Sequence, residues 1–544
     1  MIGTRNLANT DFSQSSQCLA ALRALNPTDV DDSMAVMGFL LDGMCAHPPE
    51  PAEHLQVLEE MRTTLDFVMS QASLRYIARP LPPASEEDER LQRVVATWTT
   101  MARSYSLIAQ RSAMDPGFTD KRALLAHRRI QYCALAMVEN FRARREMPPG
   151  LWRNLHTLFV AAERAGLADV RVPDALNEVW GAQSAQECYV ALLLVDAAMP
   201  SGRTPRELVW IMRWAQRFAP YCVVLPDSEP RPEKATQFAL DVQSDHGLRP
   251  IGLIAPEAKL RSIDTKRLAN HIQAVVAQLK KSVSPASLGL GDDCVQPACS
   301  RLLVSLYRPW GHAAAGRKFP RRRLSAKVQL CVDQQTIAFF LEGREFSQPS
   351  DSRVTSFSDS QIIRTFGDRV DAEITPEYLV QRAAQLGYAQ EEVWEVNDQS
   401  VAGYRIARSQ GDSRVEHRQL VGLRATPAAP MLLAEVSWLQ YQHNGTLQAG
   451  VNLLPGPPKV VAVRLHLGDR SARERYRLGF MVPGVTALKT DVSVIVPAGW
   501  YLIGRRIEVF EDGQWFGRMA KLISRGANFD RVTFTREPGE DTVD

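Results

Sequence analysis

The chain reads as a multidomain α+β protein, with an N-terminal α-helical bundle or repeat-like half and a C-terminal all-β barrel followed by a second small β module. Three observations predict this. From about residue 15 to 220, apolar residues recur every three or four positions, the stripe of a helix face. After Gly316 the pattern changes to short runs rich in Val, Ile, Leu, Phe and Trp, divided by Gly, Pro, Asn and Asp. With 544 residues the chain is also too long for one core.

In the helical half, Leu55, Leu58, Met61, Leu65 and Met69 predict a helix within 51–77. Further helices are expected at 87–110, 121–144, 150–165, 184–198 and 205–218. Ser184 and Glu187 have the form of a capping box. Proline and glycine clusters at 79–85, 115–117, 147–150 and 199–205 supply the breaks. These residues, 1–220, form the expected α-helical domain. A mixed connecting region follows at 221–310, with strand-like 221–225 and 251–254, a helix at 264–281 and another near 295–307.

A basic linker is expected at 311–325, and a barrel at 326–466 with an insertion at about 344–390. Its candidate strands are 326–332, 337–341, 393–396, 403–408, 419–424, 431–440, 448–453 and 460–466, with Asn444-Gly445 at a hairpin turn. The insertion is polar and serine-rich and ends in a short helix near 376–386. The C-terminal β module occupies 467–544.

Composition narrows the function classes. Apolar residues make up 45% and charged residues 23%, and 64 bases against 61 acids leave a formal charge of +3, so no global preference for polyanions follows. The charge is local: residues 301–330 hold eight arginines and lysines and no acid. The first residues lack a basic stretch followed by an apolar core, and no run of 18 apolar residues occurs, so neither export nor a membrane span is expected. The eight cysteines form no CxxC pair and several sit in apolar runs, which predicts reduced core thiols in a cytoplasmic protein.

Within the basic segment, Arg317 and Arg321 stand four apart, followed by Arg322 and Arg323; 77 positions after Arg321 comes Asp398-Gln-Ser400-Val-Ala-Gly403. RxxxR followed by DxSxxG resembles the PilZ family of cyclic di-GMP-binding barrels. The similarity continues through Gln419-Leu-Val-Gly-Leu, Ala434-Glu-Val-Ser-Trp438 and Gln448-Ala-Gly450-Val-Asn-Leu, and covers about 317–455. It implies a PilZ-like barrel and a bacterial receptor for cyclic di-GMP. Arg317, Arg321 and Arg322 would grip guanine edges and phosphates, for which a guanidinium offers paired donors. Asp398 would accept from guanine N–H groups, Ser400 would add a hydroxyl contact, and Gly403 would allow close backbone approach. The motif spacing exceeds the few tens of residues usual in the family, and an insertion at a hairpin tip accounts for it at small entropic cost.

No enzyme is expected. GxSxG, HExxH and a close histidine pair are missing, and Gly311–Lys318 lacks the Lys-Ser/Thr ending of a phosphate loop, so neither a metal nor a cofactor is predicted beyond the dinucleotide ligand. The helical half is expected to hold a protein partner or a second copy of the chain. Two other readings remain: a helical scaffold or adaptor whose degenerate barrel binds protein and no nucleotide, and a single-stranded nucleic-acid binder, which the basic segment disfavours because Phe319 is its nearest aromatic.

Overall fold

The computed structural model describes residues 10–226, 238–255, 259–311, 321–349, 375–466 and 474–537. The chain divides into two compact units, Met1–Arg79 with Pro83–Arg317, and Pro80–Pro82 with Lys318–Asp544.

In the first unit, α1 (Ser15–Arg23), α2 (Val30–Ala46), α3 (Pro51–Ser73), α4 (Ser85–Arg111), α5 (Arg122–Arg142), α6 (Leu151–Arg164), α7 (Ala185–Ala197) and α8 (Pro205–Phe218) follow the predicted stripes. The Ser184–Glu187 box is formed: Glu187 N donates to Ser184 Oγ at 3.1 Å, and Ser184 N donates to Glu187 Oε2 at 2.9 Å. Helix α5 is the axis of the unit. Ile130, Cys133 and Met137 face a core shared with α6 to α8, whereas Leu125, Tyr132 and Ala136 face a second core shared with α1 to α4.

A helix buried on two sides must also satisfy its charges. Arg128, 1% exposed, donates to Asp174 Oδ2 at 3.0 Å and to Glu59 Oε1 at 3.0 Å. Arg62 donates to Asp174 Oδ1 at 2.5 Å and to the Tyr132 hydroxyl at 3.0 Å. Two guanidiniums thus share one buried carboxylate, which links α3 and α5 to the hairpin of β1 (Val172–Pro173) and β2 (Ala182–Gln183).

After α8 comes a sheet in the order β3-β6-β4-β5, from β3 (Val223–Pro226), β4 (Phe238–Asp241), β5 (Arg249–Pro250) and β6 (Leu260–Asp264). Leu240, Ile263 and residues of α9 (Lys266–Lys280) and α10 (Ala298–Gly311) enter the same core as α5 to α8, so this region completes the helical core as well as connecting. Two expectations are corrected here. Ile251–Leu253 is a 3₁₀ turn, not a strand, and Leu253 points to solvent. Cys294 and Cys299 are joined in a disulfide with Cα atoms 5.6 Å apart, so only the other six cysteines are free thiols. A spacing of five with a turn between brought the pair within bonding range. Burial pushes the Cys133 thiol up to about 11 and Cys188 up to about 12, as expected for core thiols.

The second unit contains two closed six-stranded barrels. The first runs β10-β11-β12-β9-β8-β7 and closes between β10 and β7; its strands are β7 (Arg322–Cys331), β8 (Glu392–Ser400), β9 (Gly403–Arg408), β10 (Leu420–Arg424), β11 (Leu432–Tyr441) and β12 (Leu447–Leu453). The second runs β13-β14-β15-β18-β17-β16, from β13 (Lys459–Leu465), β14 (Arg477–Val482), β15 (Ser493–Pro497), β16 (Arg506–Phe510), β17 (Gln514–Arg525) and β18 (Phe529–Arg536). Strand β13, expected to finish the first barrel, pairs with β14 and β16 of the second, because Pro455-Gly-Pro-Pro458 breaks the ladder before it.

Ile337–Leu341, expected as a strand, lies in helix α11 (Gln334–Glu342). Asp333 caps it, accepting from Thr336 N at 2.8 Å, and Gly343 ends it in the left-handed region at φ 72°. Ile337 and Ala338 pack with Leu420 and Leu433 of the first barrel and Phe480 and Ile495 of the second, so this helix plugs the core between them. Helix α12 (Pro376–Gln385) matches the helix predicted at the end of the insertion. Among the described residues, no helix is long and apolar enough to cross a membrane.

The tripeptide Pro80–Pro82, from the link between α3 and α4, belongs to the second unit. Leu81 and Val415 exchange backbone hydrogen bonds of 2.9 and 2.7 Å, and Arg414 donates to the carbonyls of Pro82 (3.0 Å) and Pro80 (2.7 Å). The Leu81 side chain, 4% exposed, joins the core of the first barrel.

Candidate functional site

The Asp398–Gly403 motif is a β-hairpin. Strands β8 and β9 pair with Ser400 opposite Gly403, Gln399 opposite Tyr404 and Asp398 opposite Arg405, leaving Val401 and Ala402 as a two-residue turn. The Ser400 hydroxyl is spent within the turn, donating to Gly403 O at 3.3 Å and accepting from Ala402 N at 3.3 Å. At Gly403 a Cβ would stand 1.9 Å from the carbonyl oxygen of Val451 on β12. Glycine is therefore required by the close approach of the neighbouring strand. Arg408, at the far end of β9, is buried over the Trp394 ring at 4.9 Å and paired with Glu392, which fixes the base of the hairpin.

Strand β7 lies on the other side of β8, with Arg322 opposite Gln399 and Arg323 opposite Asp398. Arg321, just before that strand, donates from Nη1 to Asp398 Oδ1 at 2.7 Å, and both side chains are partly open to solvent. The two motifs, 77 positions apart in sequence, thus meet at one carboxylate. Arg322 and Arg323 are exposed on either side of the strand. Arg317 lies outside the described residues, as does Lys318.

Two further side chains adjoin the motif. Arg405, directly across from Asp398, donates to Gln448 Oε1 at 2.7 Å, and its guanidinium carbon lies 6.0 Å from the centre of the Trp438 ring. Trp438 is half-buried and lies across Gly450, where a Cβ would come within 1.9 Å of its Nε1. The place of Arg405 has a signal in the sequence. A two-residue turn inside Asp-x-Ser-x-x-Gly fixes the register, so the residue two beyond the glycine must oppose the aspartate and share its face.

Chemically, the face of Asp398 offers Arg321, Arg323 and Arg405 as paired N–H donors, one carboxylate as acceptor, and an indole face beside a guanidinium, whereas Arg322, opposite Gln399, lies on the other side of the strand. Such a set suits a planar, anionic, donor-bearing ligand. No group of three or more His, Cys, Asp or Glu residues that could hold a metal occurs among the described residues.

Comparison with known proteins brackets this barrel. Residues 16–228 match the family model described as cyclic-di-GMP receptor FimW, N-terminal domain, and residues 461–536 match the FimW C-terminal beta-barrel domain. The second match covers strands β13 to β18, all of the second barrel but the first two residues of β13. Over 519 residues, 87% of this chain and 82% of the relative, the protein is 22% identical to the cyclic-di-GMP receptor FimW of Pseudomonas aeruginosa. From the helical domain through to the last barrel, the chain is therefore similar to a curated receptor of the FimW kind.

Proposed function

We propose that this protein is a cytoplasmic bacterial receptor for cyclic di-GMP, and that its first barrel is PilZ-like and carries the binding face. The observation that supports this most is the meeting of Arg321 with Asp398 on a hairpin whose opposite strand presents Arg405. The named function of the relative agrees with it. Arg317, Arg321 and Arg322 grip phosphates and guanine edges, and Asp398 reads the guanine N1 and N2 donors. Ser400 and Gly403 hold the turn in shape, and Trp438 with Arg405 offers a stacking surface.

In the free protein, Arg321 occupies the carboxylate that guanine would use. Ligand binding exchanges that ion pair for guanidinium–phosphate and carboxylate–guanine bonds, which reorders the basic linker and changes the arrangement of the domains. The protein acts by binding, not by catalysis, and its helical unit passes the signal to a protein partner.

Calorimetric titration with cyclic di-GMP, beside GMP and cyclic di-AMP, tests this on the wild type, Arg317→Ala/Arg321→Ala and Asp398→Ala. Selective binding should be lost in the double variant and weakened at least about tenfold in Asp398→Ala. A folded wild-type protein that takes up none of the three would return the chain to the scaffold reading.

A further inference from the structure

The first unit carries a cavity of about 200 Å³ between the ends of α3 and α5 and the start of α8. Its apolar lining includes Phe141, buried, with Leu74 and Val209, which stay 58% and 44% exposed. Four arginines line it, Arg142, Arg144, Arg203 and Arg206, and no carboxylate does.

The state of these guanidiniums indicates what the cavity takes. Arg142 is paired with Glu139 at 3.0 Å. Arg203 rests on neutral groups, donating to Ala198 O at 2.9 Å and Ser305 Oγ at 3.3 Å. Arg206 donates to the backbone oxygen of Asp293 at 2.9 Å and lies 4.9 Å from the Trp210 ring centre. Glu207, the neighbouring acid, is engaged in capping α8 through Thr204. Arg203 and Arg206 are thus held in position by partners that leave their charge in place, at the start of α8 where the helix dipole is also positive.

Size decides between two anionic occupants. About 200 Å³ is below the roughly 300–1,000 Å³ of pockets that enclose small-molecule ligands, a cyclic dinucleotide among them. It is ample for one apolar side chain with acidic neighbours reaching the rim, the arrangement by which arginine clusters read acidic motifs. We infer that this cavity docks an acidic segment of a partner protein, with one large apolar residue as its anchor and flanking Asp or Glu residues on Arg203 and Arg206. The inference rests on the helical unit being the partner-binding side and is independent of whether the barrel binds nucleotide.

Panning the purified full chain against a displayed library of random peptides, supplemented with overlapping segments of this chain, tests it. Peptides with a Leu, Phe or Met between acidic residues should be enriched. One such synthetic peptide should bind in fluorescence anisotropy, weaken with added salt, and lose about tenfold or more in affinity with either Arg206→Glu or Val209→Asp. Both substitutions are at exposed positions, and matching thermal unfolding with wild type would show that each variant is folded. Arg321→Ala should leave peptide binding unchanged, which keeps this test separate from the nucleotide site. Enrichment of neutral or basic peptides, indifference to both substitutions, or no enrichment would overturn the inference. Selection of a segment of this chain would replace it with self-association.

Discussion

At Gly403 the constraint is steric. With a Cβ 1.9 Å from Val451 O, Gly403→Ala must push β12 away from β9, and overpacking of this kind costs about 3 kcal/mol. Urea unfolding followed by far-ultraviolet circular dichroism should show that loss, and nucleotide binding should fall with it. The residue type was legible from its motif. Its reason was not, because the strand that crowds it lies almost 50 positions further along.

His127 makes a prediction of a different kind. Its Nδ1 faces Arg128 Nη1 at 3.0 Å and so accepts, leaving Nε2 to donate to Gln183 Oε1 at 3.3 Å. Burial, reinforced by the charge of Arg128, holds His127 well below the ordinary histidine range, and burial lowers His54 to about 4. The unfolded chain therefore binds protons that the native imidazoles refuse. The stability contributed by the neutral rings is present above about pH 6.5 and is lost as pH falls towards 4. Asp196, raised by burial to about 7, acts in the opposite sense over pH 4 to 7. Comparing thermal midpoints of wild type with His54→Gln/His127→Gln across pH 7 to 4.5 isolates the histidines: the double variant should lose less stability on acidification.

Among the elements, α11 shows how local signals compete. Ile337, Phe339 and Leu341 alternate as in a strand, yet Asp333 at the N-cap and Gly343 in the left-handed region bound a helix of nine residues. Packing between two barrels rewards the helix because it presents Ile337 and Ala338 to both. Removing the cap with Asp333→Ala should destabilise the second unit by about 1 kcal/mol, read from its urea midpoint. The long helices were legible in the sequence because their stripes repeat over several turns and their caps are local. The barrel that takes strand β13 is not legible, since a strand's own residues do not say which of two adjacent barrels will accept its hydrogen bonds.

For the whole molecule, the notable feature is that the second unit is not one continuous stretch. The chain passes between units at 79/80, 82/83 and 317/318, and Leu81 supplies a buried side chain and two backbone hydrogen bonds to the first barrel. Leu81→Ala in the full chain should cost that barrel roughly 3 kcal/mol. Hydrogen exchange should show it as faster exchange at Val415 and along β10 and β11, and a fragment beginning at Lys318 should show the same weakening. Unchanged protection would mean that the tripeptide is only a passenger.

What the sequence determined by itself was whatever is encoded within one or two turns of chain. That includes the helical first half with its capping box at Ser184, the switch to β structure after Gly316, and the Asn444-Gly445 turn between two strands. Tertiary structure alone decided which distant residues become neighbours. It paired Arg321 with Asp398, set Arg405 beside Trp438, gave β13 to the second barrel, and drew Leu81 into a barrel more than 200 residues away in sequence. The physical reason is that these contacts gain their free energy from burial and pairing across long loops. Local propensity carries no record of the partner on the other side.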